Sequence, residues 1–353
     1  MSMPTRSTED FRPPRGVVVI VPCLNEEEHI QKTLGHFMVE PVDTVCKIVV
    51  SDGGSTDRTL DIVEACAKRD DRIVILHNER RIQSSGVNRA VEQYGQLARF
   101  IVRADAHADY PIGYCAKLLA SQGMTGAASV VVSMIAKGTT CFQKAAAVAQ
   151  NSWLGNGGSA HRIAAQGQFV EHGHHALMEV SAFQSVGGYD ESFSHNEDAE
   201  LDYRLIAAGF RVYLCADADI EYYPRKGPLS LFRQYKEFGR GRAMTLLKHR
   251  ARPRVRQLLP AMVGPVTATS LLWPLSPFLA LPALCWLTVC IAYGIALGAF
   301  KKSACACAAG TAALLMHLGF SLGFISQVFN LQSRGGSRNR NACRAAYRIE
   351  KDQ

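Results

Sequence analysis

The eleven cysteines of this 353-residue chain include no CxxC pair and no metal-ligand spacing. That excludes zinc ribbons and dithiol redox motifs, and an odd, scattered count predicts reduced thiols in a cytosolic compartment rather than a disulfide framework. Residues 1–15 hold Pro4, Pro13 and Pro14 among polar neighbours but no apolar h-region, so a loose arm is expected and a signal peptide is not. Charge is missing in a different way. No Asp, Glu, Lys or Arg occurs from Leu258 to Phe300, nor from Ser303 to Ser333. Stretches that long and that apolar belong to a membrane portion rather than to a soluble surface. The net charge of +8 is modest for a nucleic-acid binder, and its location matters more than its size.

What precedes Pro224 reads as an ordinary α/β domain. Short β-branched runs predict strands at 16–22, 47–51, 72–77 and 99–103. Helices are expected to about Met38, over 58–68 and from Gly86 to Tyr94. Strands alternating with helices imply a doubly wound, mostly parallel sheet, whose ligands sit beyond the carboxyl ends of the strands. Three polar clusters fall at those ends: Pro22-Cys23-Leu24-Asn25-Glu26, then Asp52-Gly53-Gly54-Ser55-Thr56-Asp57, then Asp105-Ala106-His107. Asp52 can accept from a base N–H or from ribose hydroxyls, while Gly53 and Gly54 admit a ligand close to the backbone. A tight strand-to-helix turn would use the same residues. Asp105 and His107 can both reach one divalent cation if the backbone bends, and a carboxylate with an imidazole suits Mn²⁺ at least as well as Mg²⁺. On its own, a DxH also fits a surface loop.

The stretch GGYDESFSHNEDAELDYRLIAAG, from Gly187 to Gly209, carries the remaining chemistry. Glu197 and Asp198 open a helical run in which Leu201, Leu205 and Ala208 recur at helix spacing. A carboxylate in a first turn faces the positive end of the backbone dipole and stays ionised. On a rigid helix start it suits a general base that takes a proton from an alcohol. Plain N-capping is the competing use.

PxxNE, the SDGGSTD turn, the DxH and the GGYDE…ED helix resemble, in this order, the family 2 inverting glycosyltransferases of the GT-A fold, over about residues 16–243. More narrowly, NERRIQSSGVN (78–88), QNSWLGNGGSAHR (150–162), EHGHHALM (171–178) and SFSHNEDAELDYR (192–204) resemble the succinoglycan-biosynthesis glucosyltransferases. The resemblance implies a UDP-sugar donor, a Mg²⁺ or Mn²⁺ ion and single displacement with inversion. Carried over, Pro22, Asn25 and Glu26 line the nucleotide site, Asp52 faces the uracil, Asp105 and His107 take the metal and diphosphate, and Asp198 is the base. The segment from Gln150 to His175 falls on the acceptor side, which gives acceptor roles to Asn156, His161, Arg162 and His174, with Glu197 beside the base. His172, His174 and His175 lack a thiol or carboxylate at zinc spacing, so acceptor binding or a satisfied structural cluster is expected of them.

Two departures from the family pattern matter. Its DxD is DxH here. Its QxxRW aligns with Gln234-Tyr235-Lys236-Glu237-Phe238, where Arg and Trp are missing, which argues against a processive synthase and leaves Gln234, Arg240 and Arg242 to cover the diphosphate.

From Arg225 to Arg256, eleven Lys or Arg stand against one acid, Glu237, with Leu229, Phe232, Tyr235 and Phe238 at helical spacing. This predicts an interfacial helix on anionic lipid. Pro274 and Pro277 break the following apolar run: 258–273 is short, hence re-entrant or interfacial, while 278–300 and 304–329 are long enough to span. The basic tail, with Arg334, Arg338, Arg340, Arg344 and Arg348, is cytoplasmic by the positive-inside rule. Three spans with the tail outside is the other arrangement. The expected domains are thus a 1–15 arm, a 16–224 catalytic domain, a 225–257 interfacial segment, a 258–330 membrane domain and a 331–353 tail.

The combined expectation is an enzyme of the bacterial inner membrane, facing the cytoplasm. It adds one hexose, glucose from UDP-glucose in β-1,3 linkage, to a polyprenyl-diphosphate-linked sugar in exopolysaccharide synthesis. Membrane lipid and other polysaccharide-assembly enzymes are the implied partners; nucleic acid is not. Transfer directly to a polyprenyl phosphate, and a catalytically silent scaffold in an assembly complex, stay open as alternatives.

Overall fold

The computed structural model describes residues 16–157 and 166–349, with side chains described as far as residue 330. These residues form two compact units. The first holds the described residues up to Ile135 and from 166 to Tyr222, and the second holds 136–157 and the chain from Tyr223 on.

Five β-branched residues in a row set the centre of the first unit. Val17 to Val21 of β1 (Val17–Cys23) are all 0% exposed. A strand apolar on both faces needs a neighbour on each side and a layer above and below. It lies between β2 (Val45–Asp52) and β4 (Phe100–Arg103), parallel to both, with β3 (Ile73–His77) parallel beyond β2. Helices α1 (Ile30–Met38), α2 (Thr59–Ala67) and α3 (Gln83–Tyr94) make the crossovers, and α4 (Tyr114–Thr125) follows β4. Alternate residues of β1 enter opposite layers, as the two-residue period of a strand requires. Val17, Val19 and Val21 join Leu34, Phe37, Val63 and Leu118. Val18 and Ile20 join Val87, Phe183, Leu201 and Leu205.

Beyond β4 the sheet changes sense. With β5 (Ser129–Ala136), β6 (Gln168–Val170), β7 (His174–Glu179) and β8 (Val212–Tyr222) it reaches eight strands in the order β3-β2-β1-β4-β7-β5-β8-β6. Strand β7 runs antiparallel to both β4 and β5, and β6 antiparallel to β8. In this mixed half β6 has only three residues and β7 opens on two histidines, so neither shows a clear alternation in sequence. Between β5 and β6 come α5 (Cys141–Gln150) and α6 (Trp153–Asn156), which belong to the second unit.

After β7 come α7 (Val180–Ser185) and α8 (Glu197–Ala207). Helix α8 opens at Asn196 with φ 68°, a left-handed conformation that Asn tolerates. Leu201 and Leu205 are 0% and 1% exposed, worth roughly 2 kcal/mol each in burial, and they pin the helix under the sheet. The first turn of α8, with its acidic pair, is therefore held firmly.

The second unit continues with α9 (Pro228–Lys248), α10 (Val255–Ser270), α11 (Leu281–Phe300), α12 (Ala304–Cys307) and α13 (Ala309–Ile349). Helices α9 and α13 touch backbone to backbone: a Cβ at Gly239 would stand 2.0 Å from the Phe320 carbonyl oxygen, and one at Gly323 1.8 Å from that of Lys236. Pro277–Phe300 and Ala304–Asn330, with mean hydropathy 2.0 and 1.6, are long and apolar enough to cross a membrane. Helix α10, 16 residues with Pro260 and Pro265 inside it, reaches only about 24 Å and falls short of a bilayer core. One expectation fails here. Cys141 and Cys305, 164 residues apart, are joined in a disulfide. Spacing along the chain cannot reveal which thiols a fold brings together.

Candidate active site

The three strand-end clusters converge in the first unit. After β1, Asn25 turns the chain with φ 56°. Its Oδ1 accepts from the Thr56 N–H at 2.8 Å, and its own N–H donates to Ser55 Oγ at 2.9 Å. The Glu26 N–H donates to Thr59 Oγ1 at 2.8 Å, so the loops after β1 and β2 are stitched together. Pro22 lies opposite Ser51 of β2, one residue before the pairing ends at Cys23 and Asp52. The carboxylate of Asp52 is occupied: it accepts from the Gly54 N–H (2.9 Å), the Ser55 N–H (3.2 Å) and Ser55 Oγ (2.6 Å), and the residue is 1% exposed. In this conformation Asp52 shapes the turn, and Gly54 at φ 85° completes it.

The third cluster is organised by a residue the sequence reading passed over. Arg103, the last residue of β4 and 4% exposed, puts its guanidinium among three acids. It pairs with Asp198 at short range, with Glu197 at 3.3 Å and with Asp105 at 3.6 Å. His174, at the start of β7, spans the same gap from another side, with Nε2 3.4 Å from Asp105 and Nδ1 3.7 Å from Asp198. Gln83, at the start of α3, donates to Asp105 at 3.0 Å. The two carboxylates with separate expected roles, 105 and 198, thus share one arginine and one imidazole.

Electrostatics separates the acidic neighbours of α8. Burial raises the Asp198 carboxyl, but Arg103 and then His175 and His174 outweigh it and hold the group well below the usual range. Glu197, in the same helical turn, is pushed up to about 7 by burial and by the charge on Asp198, with Arg103 opposing. The helix dipole acts on both alike, so it does not decide the matter; the distance to the guanidinium does. Burial likewise raises Asp105, and His174 and Arg103 reverse the shift to a net lowering.

His107 Nδ1 lies 2.9 Å from Glu26 Oε1. With its proton on Nδ1 the ring donates to that carboxylate, and the Nε2 lone pair becomes its ligating position. Asp105 and the oriented His107 make a chemically sensible pair of donors for Mn²⁺ or Mg²⁺. No group of three or more His, Cys, Asp or Glu suited to a metal occurs among the described residues. A two-donor site fits an ion that completes its shell with substrate phosphates and water.

The other expected site residues lie elsewhere. Asn156, which donates to the Gln150 carbonyl at 3.4 Å, and Gln234, Arg240 and Arg242 on α9 belong to the second unit. Arg240 pairs with Glu237 at 3.1 Å. His161 and Arg162 lie outside the described residues.

Residues 18–187 match the family described as Glycosyl transferase family 2. Over 317 residues the chain is 45% identical to the succinoglycan biosynthesis protein ExoA of Rhizobium meliloti (strain 1021), covering 90% of this chain and 96% of that protein. The chain belongs to glycosyl transferase family 2. All three strand-end clusters lie inside the matched region, which ends at Gly187, and the acidic pair of α8 lies past it. A second relative, at 24% identity over 247 residues (66% of this chain, 74% of that one), is a dolichyl N-acetyl-alpha-D-glucosaminyl phosphate 3-beta-D-2,3-diacetamido-2,3-dideoxy-beta-D-glucuronosyltransferase of Methanococcus voltae. Among solved structures, the mannosyltransferase PcManGT of Pyrobaculum calidifontis, in complex with GDP-Man and Mn²⁺, is similar in fold at TM-score 0.53 and 18% identity, over 91% of this chain and 88% of that one. The family 2 glycosyltransferase described here therefore has a GT-A catalytic fold, with two apolar helices near its C-terminal end.

Proposed function

We propose that this glycosyltransferase moves a single hexose, glucose from UDP-glucose, onto a polyprenyl-diphosphate-linked sugar in exopolysaccharide assembly, with inversion to a β-1,3 linkage. It works at the cytoplasmic face of the membrane, where nucleotide sugars and the lipid-carried acceptor meet. The observation that carries the reading is the shared imidazole. His174 lies within 3.7 Å of both Asp105 and Asp198, so the donor-side acid and the base-side acid belong to one site.

Asp198 takes the proton of the acceptor hydroxyl as that oxygen attacks the anomeric carbon from the face opposite UDP. Arg103 keeps Asp198 ionised for this step, on a helix anchored by the buried Leu201 and Leu205. Glu197, pushed up to about 7, is partly protonated at neutral pH and sits beside the base as a hydrogen-bonding partner for acceptor hydroxyls. Asp105 and His107, the latter oriented by Glu26, are the residues that would hold Mg²⁺ or Mn²⁺, which when bound offsets the charge of the departing diphosphate. The likeness to the succinoglycan biosynthesis protein ExoA supports a place in exopolysaccharide synthesis.

The test is transfer of radiolabelled glucose from UDP-glucose to polyprenyl-diphosphate-linked galactose in membranes that carry the protein. Label in the lipid fraction that depends on the acceptor sugar supports the proposal. Label that appears equally with polyprenyl phosphate alone would replace it with direct transfer to the lipid phosphate.

A further inference from the structure

Behind Asp198 a line of polar groups runs inward that the mechanism above does not use. His175 is 0% exposed and Tyr189 is 2% exposed. His175 Nδ1 stands 2.6 Å from the Tyr189 hydroxyl and 3.5 Å from Asp198 Oδ1, while its Nε2 is 2.8 Å from Asp202 Oδ1. The Tyr189 hydroxyl is 3.4 Å from Asp198 Oδ1. Asp202, 0% exposed, follows Asp198 by one turn of α8, and its Oδ2 accepts from the Gly173 N–H at 3.3 Å. An Asp–His pair with no access to water is a costly way to fill a core, and three apolar side chains would pack there without desolvating a charge. The line also ends on the residue assigned as base.

We propose that His175, backed by Asp202 and joined to Asp198 through the Tyr189 hydroxyl, is a positioning residue that receives the acceptor's proton from Asp198 during transfer. The proposal rests on Asp198 being the base.

The phenol has one hydrogen to give and two lone pairs, one of which accepts from Arg103 Nη1 at 3.3 Å. With His175 neutral, Nε2–H donates to Asp202 and the Tyr189 hydroxyl donates to Nδ1. Once Asp198 carries the acceptor's proton, its O–H can donate to the second lone pair of Tyr189. The Asp198 O–H bond then breaks, a new O–H bond forms on Tyr189, the former Tyr189 proton moves to Nδ1, and an Nδ1–H bond forms. Asp198 regains its charge and His175 becomes an imidazolium against Asp202. Reversal of the same steps returns the proton to water after the product leaves.

The groups facing His175 are Asp198 and Asp202 from α8, Tyr189 from the preceding turn, Arg103 from β4 and His174 beside it. Burial lowers the basicity of His175, but Asp202 and Asp198 outweigh it and leave the ring above its ordinary value. Burial also keeps the Tyr189 phenol protonated. Because the active form needs a neutral His175, the acid limb of the turnover profile belongs to this ring.

The experiment is glucose transfer to polyprenyl-diphosphate-linked galactose, followed from about pH 5 to pH 9, the range a histidine governs. It compares wild type with Asp202→Asn, Tyr189→Phe and Asp198→Asn, with Mn²⁺-dependent UDP binding as the folding control. Asp202→Asn removes the carboxylate that raises the ring, so the acid limb should move to lower pH by about one unit. Tyr189→Phe should slow turnover about tenfold at the plateau, with KM little changed, as loss of a positioned proton donor does. If both variants bind UDP yet keep the wild-type limb and plateau, the relay is wrong while the base assignment stands. If Asp198→Asn itself retains turnover, the underlying reading of the site fails instead.

Discussion

Replacing Arg103 by Met tests how the site holds its charges. The guanidinium is 4% exposed and faces Asp198, Glu197 and Asp105, so Met fills most of its volume but leaves three carboxylates without their cation. Removing one partner of a buried pair costs about 3–5 kcal/mol, against a total stability of roughly 5–15 kcal/mol. The variant should fold marginally, and Arg103→Lys is the milder companion. The pH dependence separates this cause from lost packing. In wild type the Asp198 carboxyl is lowered, so its contribution is present above the unfolded value of about 3.9 and is lost as pH falls through the folded value. Without Arg103 the strongest downward influence is gone and burial acts upward, so Asp198 rises toward or past its unfolded value and its ionised form stabilises less. Glu197, already at about 7, moves further up. The deficit relative to wild type should therefore grow between about pH 5 and pH 8, as linkage requires. Denaturant unfolding of the detergent-solubilised protein at both values measures it. An equal deficit at the two would refute the electrostatic account and leave only lost packing.

Two further outcomes follow from neighbouring contacts. Asn88 holds the turn before the base, accepting from the Tyr189 N–H at 2.8 Å and donating to the Tyr189 carbonyl at 2.9 Å. Asn88→Ala should cost about 2 kcal/mol for the two bonds, read by urea unfolding, and should slow transfer more than it weakens UDP binding. Glu26→Gln weakens the acceptor that orients His107 and should reduce Mn²⁺-dependent UDP affinity by about 10–100-fold in calorimetry, with little change in stability.

The parallel half of the sheet was legible because β-branched runs and polar strand ends recur with a clear period, and the three clusters followed from it. Arg103 was not, although a signal existed: a cation closing the apolar strand Phe-Ile-Val-Arg, two residues before the DxH, can avoid water only by finding acids. The buried His175–Asp202 pair had a fainter trace in the i, i+4 spacing of Asp198 and Asp202 on a helix face that also buries Leu201 and Leu205. Acidic residues in a first turn look alike in sequence, and the opposite shifts of Glu197 and Asp198 arise from a strand 95 residues upstream. Asp52 shows the reverse limit: the same four residues that invite a nucleotide also build a turn that occupies the carboxylate. Of the antiparallel strands, β6 is too short to show a period and β7 opens on two histidines, whereas β8 alternates apolar and acidic residues from Ala216 to Glu221, a signal left unused.

The most direct measurement is glucose transfer by Asp198→Asn set beside its Mn²⁺-dependent UDP binding. The account predicts turnover lower by about 10²–10⁴-fold, as for loss of a general base, with UDP affinity within about twofold of wild type. Turnover near the wild-type rate, or UDP binding lost in a folded protein, would contradict it.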